Sequence, residues 1–450
     1  MNQAYDVVVV GGGPAGIQAA RMIKMKQPAW RVAMFRPERA SMVYCAIPYA
    51  LEGIVHKDKV LKSDRLVTDV GIELLRERIV RIDTTDRWVE SETGDIYSFN
   101  KLLYVPGSRS MLPPVPGADL DGIFTVKTEA DMESILSRLE SGARRAVVIG
   151  AGAIGLEQAQ ALRSRGLEVH LVDLADRILP HMADEDMTTP LKEELTRMGI
   201  QLHLSTRVSA FSGSGAVSVV VLDSGVSLPV TPGIDLVVVS VGMVPVTDLL
   251  DGQVETTRDG IRVDAGMRTS IPYIFAAGDV VQGWSGIDGK PLGGRLATNA
   301  VPMAKVAAIN ILGGHAEYAG FFNGVATVIG EMRIGGTGFT ERFAESRGIA
   351  VIIGMGETTS RFPMMPGARP VRVKLVAEKA TGRIIGGQVT GYEAVAERID
   401  VITLAIQQKM TADQMTRWSY SAQPWQTFFP ASNAILQAAS DITDKLNSVK

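Results

Sequence analysis

The 450-residue sequence predicts an α/β chain: two doubly wound units of parallel sheet flanked by helices, then a smaller α+β domain. Three observations predict it. A short apolar strand near the N-terminus runs into a glycine-rich turn and a helix. The same strand–turn–helix–strand unit recurs near residue 150. From about residue 321 the pattern changes, with β-rich runs Val325–Ile329, Val371–Val376 and Ile384–Thr390 around a long helix-forming run, Ala394–Gln408. Alternating strands and helices build parallel sheets, whereas grouped strands with separate helices build an α+β domain.

In the first unit, Asp6-Val-Val-Val-Val is a β-branched strand that enters Gly11, Gly13 and Gly16, with Pro14 and Ala15 between the last two. The following run, Ile17–Met25, is rich in Ala, Met and Lys, which favour helix. A tight turn between strand and helix leaves backbone N–H groups and a positive helix end facing outward, a pyrophosphate site. In the second unit, Arg145–Ile149 enters Gly150, Gly152 and Gly155, with Ile154 and Glu157 beside them. A helix over Gln158–Arg165 follows, then a strand, Glu168–Val172, that ends at Asp173. One G-x-G-x-x-G is a weak signal. Two in the same structural context mark two Rossmann-like dinucleotide sites.

The two units differ where a ribose should sit. Asp173 lies eighteen residues after Gly155, where a carboxylate accepts hydrogen bonds from an adenosine 2′-hydroxyl and repels a 2′-phosphate. NADH is therefore favoured, with NADPH the alternative because Arg177 is near. In the first unit the matching strand, Trp30–Phe35, is followed by Arg36, and Glu38 is the nearest carboxylate. A third element, Ser270–Val280, is a strand ending in Gly278-Asp279, and the Ala-rich run Arg295–Asn310 after it reads as a helix whose start could face a ligand.

Cys45 is the only cysteine, and the five histidines form no close pair. The sequence thus excludes an internal disulfide and a zinc cluster, and no metal is expected. Ala46–Leu51 reads as a helix start with Pro48 in its first turn. A thiol at such a position has its thiolate favoured by the helix dipole. The alternative is a small buried hydrophobe. The net charge of −3 gives no footprint for nucleic acid or an anionic membrane. The apolar runs Val7–Val10, Ala146–Ile149 and Ile402–Ile406 are too short to span a bilayer, and no basic segment precedes the first. The expected location is the cytoplasm. A final helix from Asn433 is expected to fray in a polar tail, Asp441–Lys450.

Together these motifs resemble the FAD-dependent pyridine nucleotide–disulfide oxidoreductases over almost the whole chain. The resemblance implies FAD on the Gly11–Gly16 loop, with Arg36, Glu38 and Ser41 nearby, and NADH on the Gly150–Glu157 loop. It implies that Asp279, after Gly278, binds the flavin's ribityl chain. Leu102–Gly117 is similar to the family's crossover segment and keeps Gly107, and Val241-Gly242-Met-Val-Pro is similar to the returning one. The implied domains are FAD-binding (1–112 and 242–320), NAD(P)H-binding (113–241) and C-terminal dimerisation (321–450).

Ser41-x-x-x-Cys45-x-Ile-Pro-Tyr resembles the single-cysteine branch: coenzyme A-disulfide, persulfide and polysulfide reductases, NADH oxidases and peroxidases. That branch implies a homodimer in which Tyr420 and Trp425 of one protomer approach the cysteine of the other. It also implies electrons passing from NADH through FAD to a mixed disulfide or sulfenic acid at Cys45. Oxidases and peroxidases of the branch resemble one another in a histidine in the first glycine loop, which this chain lacks. The expected substrate is therefore a low-molecular-weight disulfide, persulfide or polysulfide. Ser421–Asn433, in contrast, resembles the NADH oxidases. The family's tyrosine before the Pro366-Gly-Ala turn is missing from Phe362-Pro-Met-Met, so Met364 and Met365 make that wall apolar, and Arg21 and Lys24 stand where the coenzyme A branch binds phosphates. A third reading is an electron-transfer flavoprotein serving a protein partner, with Cys45 structural.

Overall fold

The computed structural model describes residues 3–448, so residues 1, 2, 449 and 450 of the expected first and last domains lie outside the described residues. The first sheet is centred on Gln3–Val10, which pairs in parallel with Val32–Phe35 and Ile96–Tyr104. Glu73–Leu75 and Ile274–Ala276 extend it in parallel, and the hairpin Ile79–Asp83/Trp88–Ser91 folds back antiparallel onto Ile96–Tyr104. Val7, Val8 and Val9 are fully buried, as expected of a strand covered on both faces.

The second sheet has five parallel strands in the order Ile123–Thr125, Leu236–Val239, Arg145–Ile149, Glu168–Val172, Ile200–His203. A three-stranded antiparallel sheet, Val208–Ser214, Ala216–Leu222 and Ser227–Pro229, lies between its last two strands in sequence. Both helices after the glycine turns begin earlier than the composition predicts, at Pro14 and Ala153 rather than Ile17 and Gln158. The cause is local: Gly13 and Gly152 are the helix caps themselves, and Pro14 suits a first helical position.

The C-terminal domain is a five-stranded antiparallel sheet, ordered Val325–Ile329, Met332–Gly338, Ile384–Gly391, Pro370–Glu378, Val351–Thr359. Helices Val395–Gln407 and Ala434–Ser448 cover one face, burying Val371, Val373 and Leu375 against Ile399, Ile402 and Ala438. The expected fraying from Asp441 is overturned up to Ser448. Ile442 is fully buried, and the Asp441 carboxylate accepts from the Met355 amide at 3.0 Å and from Lys445 at 2.8 Å.

The opposite face of that sheet meets the second unit through a buried ionic node. Lys374, 4% exposed, reaches Glu341 at 2.8 Å, Asp186 at 3.1 Å and Asp184 at 3.2 Å. Gln388 donates to the same Asp184 carboxylate at 2.6 Å. Removing one partner of a buried ion cluster leaves the others uncompensated. Lys374→Met should therefore lower the unfolding free energy by about 3 kcal/mol, read from denaturant midpoints.

Candidate active site

Cys45 sits in a short 3-10 turn, Tyr44–Ala46, that leads into the helix Ile47–Glu52 with Pro48 in its first turn. It is exposed, unlike the buried hydrophobe of the alternative reading. The approach is held by the paired strands Ser41–Met42 and Leu61–Lys62. The helix is held from the second unit: Arg165 Nε donates to the Leu51 carbonyl at 2.7 Å, and Ser164 Oγ donates to Glu52 at 3.0 Å. Ile47 and Leu51 bury themselves among Met132, Ile135 and Leu156, in the core of the second unit.

Four segments meet at Lys127, which lies over Tyr44, the residue before the cysteine. Ser108 Oγ donates to Asp279 Oδ2 at 2.8 Å, and Lys127 Nζ lies 3.5 Å from that same oxygen. The Lys127 ammonium is also 4.8 Å from the Tyr44 ring centroid, a cation–π distance. Ala15 of the first glycine loop and Ala300 of the helix Ala297–Ile311 flank Gly278. Ser108–Ser110 pairs antiparallel with Met243–Pro245, so the segments carrying Gly107 and Gly242 run side by side. A cavity of about 110 Å³ beyond Asp279 is lined by Asp259, Leu292, Gly294, Arg295 and Phe321.

Do these residues fit two dinucleotides? The loops have the same construction. Gly11 (φ 119°) and Gly150 (φ 109°) take a left-handed backbone and press on the carbonyls of Val105 and Ser240. A Cβ at Gly16 or Gly155 would overlap the carbonyl of Gly11 or Gly150. At Gly13 and Gly152, in contrast, nothing stands within 4 Å of an added Cβ. That leaves an open face at each helix start for a pyrophosphate. Ser41 Oγ, Ser240 Oγ and Arg295 Nε are buried without a protein partner, which cofactor oxygens would supply. The two sites fit FAD and NAD(P)H.

The ribose positions diverge. Asp173 accepts from the Ala151 amide and, at 2.6 Å, from the Ala175 amide, which aims its carboxylate at the second loop. Arg36 is 3% exposed, packs its methylenes over Gly12 and pairs with Asp64. Glu38 enters only through its backbone carbonyl, which Arg36 Nε reaches at 3.2 Å, while its residue is exposed. The carboxylate that matters beside Arg36 is Asp64, which nothing local in the sequence marks. Lys127, Ser108, Tyr44 and Arg165 were equally invisible. Lys127 precedes a Thr128 helix cap, a signal for a helix and not for a site.

Glu157 accepts from Thr327 Oγ1 at 2.6 Å, and burial holds its carboxyl above the usual range. Ile154 is exposed beside it. Lys24 Nζ donates to the carbonyls of Pro28 (2.9 Å) and Trp30 (2.7 Å), and Arg21 donates to Leu66, so both cations already serve backbone carbonyls. Tyr420 donates to the Pro430 carbonyl at 3.0 Å, and Trp425, half exposed, lies under Arg361 at 5.4 Å. Met364, Tyr420 and Trp425 are all exposed apolar side chains of the C-terminal domain. Among the described residues no His/Cys/Asp/Glu cluster is placed to hold a metal, and no helix is long and apolar enough to cross a membrane.

Two dinucleotide cradles that share a crossover ribbon define an FAD-dependent NAD(P)H oxidoreductase. The pyridine nucleotide-disulphide oxidoreductase family matches residues 5–304, and its dimerisation domain matches residues 325–427. The chain is 31% identical to an NADH oxidase of Methanocaldococcus jannaschii, over 93% of this chain and 94% of that one. It is 31% identical to a CoA-dependent NAD(P)H sulfur oxidoreductase of Pyrococcus furiosus, over 88% and 89%. The structure of an NAD-dependent persulfide reductase from A. fulgidus is similar at a TM-score of 0.93 and 29% identity, covering 100% of this chain and 84% of that one. The chain belongs to the pyridine nucleotide-disulphide oxidoreductase family.

The glycine geometry separates the two cofactors experimentally. Gly155→Ala should retain FAD yet weaken NADH binding about tenfold, measured as the NADH concentration that half-maximally bleaches the flavin.

Proposed function

We propose that the chain is an NADH-dependent flavoenzyme that reduces a low-molecular-weight disulfide, persulfide or polysulfide through Cys45, acting as a cytoplasmic homodimer. One observation carries this reading. The only sulfur nucleophile is exposed, and the residue before it packs on Lys127, which contacts the same carboxylate, Asp279, that faces the cofactor crevice. A structural cysteine would be buried. A free working thiol also belongs in a reducing compartment.

Bound FAD supplies a pair of electrons, taken from NADH as hydride, to sulfur. Cys45 does the rest of the sulfur chemistry. Its thiolate attacks R–S–S–R′, forms Cys45–S–S–R and releases R′S⁻, which takes a proton. Two electrons cleave the new bond and return the Cys45 thiolate and RS⁻. In the same reading Gly11, Gly13, Pro14, Ala15, Gly16, Ser41, Gly107, Gly278 and Asp279 hold FAD. Gly150, Gly152, Ile154, Gly155, Glu157, Asp173 and Gly242 serve NADH. The domain bounds proposed from the sequence are supported by the sheets, each of which draws its strands from within one of them. The matched dimerisation domain supports a homodimer, whose exposed Met364, Tyr420 and Trp425 would complete the partner's site.

A second reading, an NADH oxidase cycling Cys45 through a sulfenic acid, is supported by the name of the M. jannaschii relative. The first loop, Gly11–Gly16, offers no imidazole for peroxide chemistry, which favours sulfur. Cys45→Ser decides between them. Disulfide turnover should fall by at least about a hundredfold while NADH still bleaches the flavin. Persistent O2 consumption that shifts from water to peroxide would establish the oxidase instead. Anaerobic NADH titration of the enzyme first loaded with disulfide and freed of the excess should take up about four electrons per flavin, two for the flavin and two for the Cys45–S–S–R bond, and an uptake of two after loading would leave Cys45 without a redox role.

A further inference from the structure

The turn after Asp173 holds an ion triad that the reactions above do not use. Asp176 Oδ1 accepts from Arg177 Nη1 at 2.9 Å, and Asp176 Oδ2 accepts from Arg342 Nη1 at 3.1 Å. Arg177 is nearly buried, at 12% exposure. Its Nη2 lies 3.4 Å from the Pro180 carbonyl, and its Nε has no protein partner. Arg342 arrives from the C-terminal domain, on the short helix Glu341–Ser346, and remains exposed. The turn itself is pinned, because Ser205 N donates to the Ala175 carbonyl at 2.8 Å and Thr206 N to the Asp173 carbonyl at 2.9 Å.

An adenosine 2′-phosphate is bound by guanidinium groups that can offer free N–H donors. The turn that follows the ribose carboxylate carries one such group, Arg177, the C-terminal domain brings a second, Arg342, and the Asp176 carboxylate engages both. We propose that Asp176 is a coenzyme-specificity residue: by holding Arg177 and Arg342 it withholds the cations a 2′-phosphate needs, and so excludes NADPH alongside Asp173. The inference deepens the NADH reading and rests on it. It also reverses the expectation that Arg177 softens the preference, since that guanidinium is committed to Asp176 and Pro180.

The test uses the full-length holoenzyme with adenosine 2′,5′-bisphosphate and ADP as probes, by titration calorimetry, and with NADPH and NADH in steady-state turnover. Asp176→Ala should tighten adenosine 2′,5′-bisphosphate about tenfold and raise the NADPH/NADH ratio of kcat/KM by a similar factor, with ADP affinity unchanged. Adding Arg177→Met and Arg342→Met to Asp176→Ala should cancel the gain. Unchanged bisphosphate affinity in Asp176→Ala, or a gain that survives the triple substitution, overturns the proposal. A mere loss of domain cohesion would lower the melting temperature without moving the ratio, and would likewise overturn it. Equal use of NADPH and NADH by the unaltered enzyme would defeat the NADH reading and the exclusion with it, whereas an enzyme that prefers NADH but shows no response to Asp176→Ala defeats the role of Asp176 alone.

Discussion

The cofactor crevice depends on a close approach between each of two helices and the turn that precedes it. At Gly16 and at Gly155 the helix backbone lies so near the carbonyl of Gly11 or Gly150 that only hydrogen fits in the Cβ position. This contact fixes each helix start against its strand, and so fixes where the N–H groups point. Gly11 and Gly150 press in turn on Val105 and Ser240, at the ends of the strands that lead into the two crossovers. The crossovers then pair as a ribbon, Ser108–Ser110 with Met243–Pro245, and bring Ser108 to Asp279. The geometry of the cofactor crevice follows from steric exclusion at a few glycines.

The cysteine segment shows how the two units are coupled. Its chain leaves the first sheet, but its apolar side chains, Met42, Ile47 and Leu51, are buried with Leu156 and Ile135 in the second unit's core. Arg165, at the end of the helix that starts at the second glycine loop, accepts the duty of capping the cysteine helix through the Leu51 carbonyl. Cys45 is therefore located by both nucleotide units at once. Burial of the helix behind it leaves the sulfur-bearing turn facing outward, with Tyr44 against the Lys127 ammonium.

Charge distinguishes the two cradles where their backbones agree. The second presents a carboxylate, Asp173, oriented by two amides. The first presents a buried guanidinium, Arg36, whose charge is answered by Asp64, which Arg76 also engages. A buried charge is tolerated when it is paired and hydrogen-bonded. Arg36 also lies over Gly12, where any larger residue would meet its methylenes. The guanidinium that stands at this position is thus both paired and packed.

Periodicity and glycine spacing alone determined the α/β class, the two nucleotide loops, the isolated cysteine and its helix, and several strands, Glu168–Val172 and Val325–Ile329 to the residue. These features are local: a strand feeding a turn constrains the next few residues directly. The strands Met332–Gly338 and Val351–Thr359 escaped notice because glycines break their apolar pattern, and those glycines exist for tertiary reasons. Gly354 and Gly356 admit the helix Ala434–Ser448, and Gly336 admits Met182 of the second unit. Only the tertiary structure decided the partners of charged side chains: Asp64 for Arg36, Asp279 for Lys127, Asp176 for Arg177 and Arg342. Most of these pairs join residues far apart in the chain, and an ionic contact leaves no periodic trace in the segments that supply it.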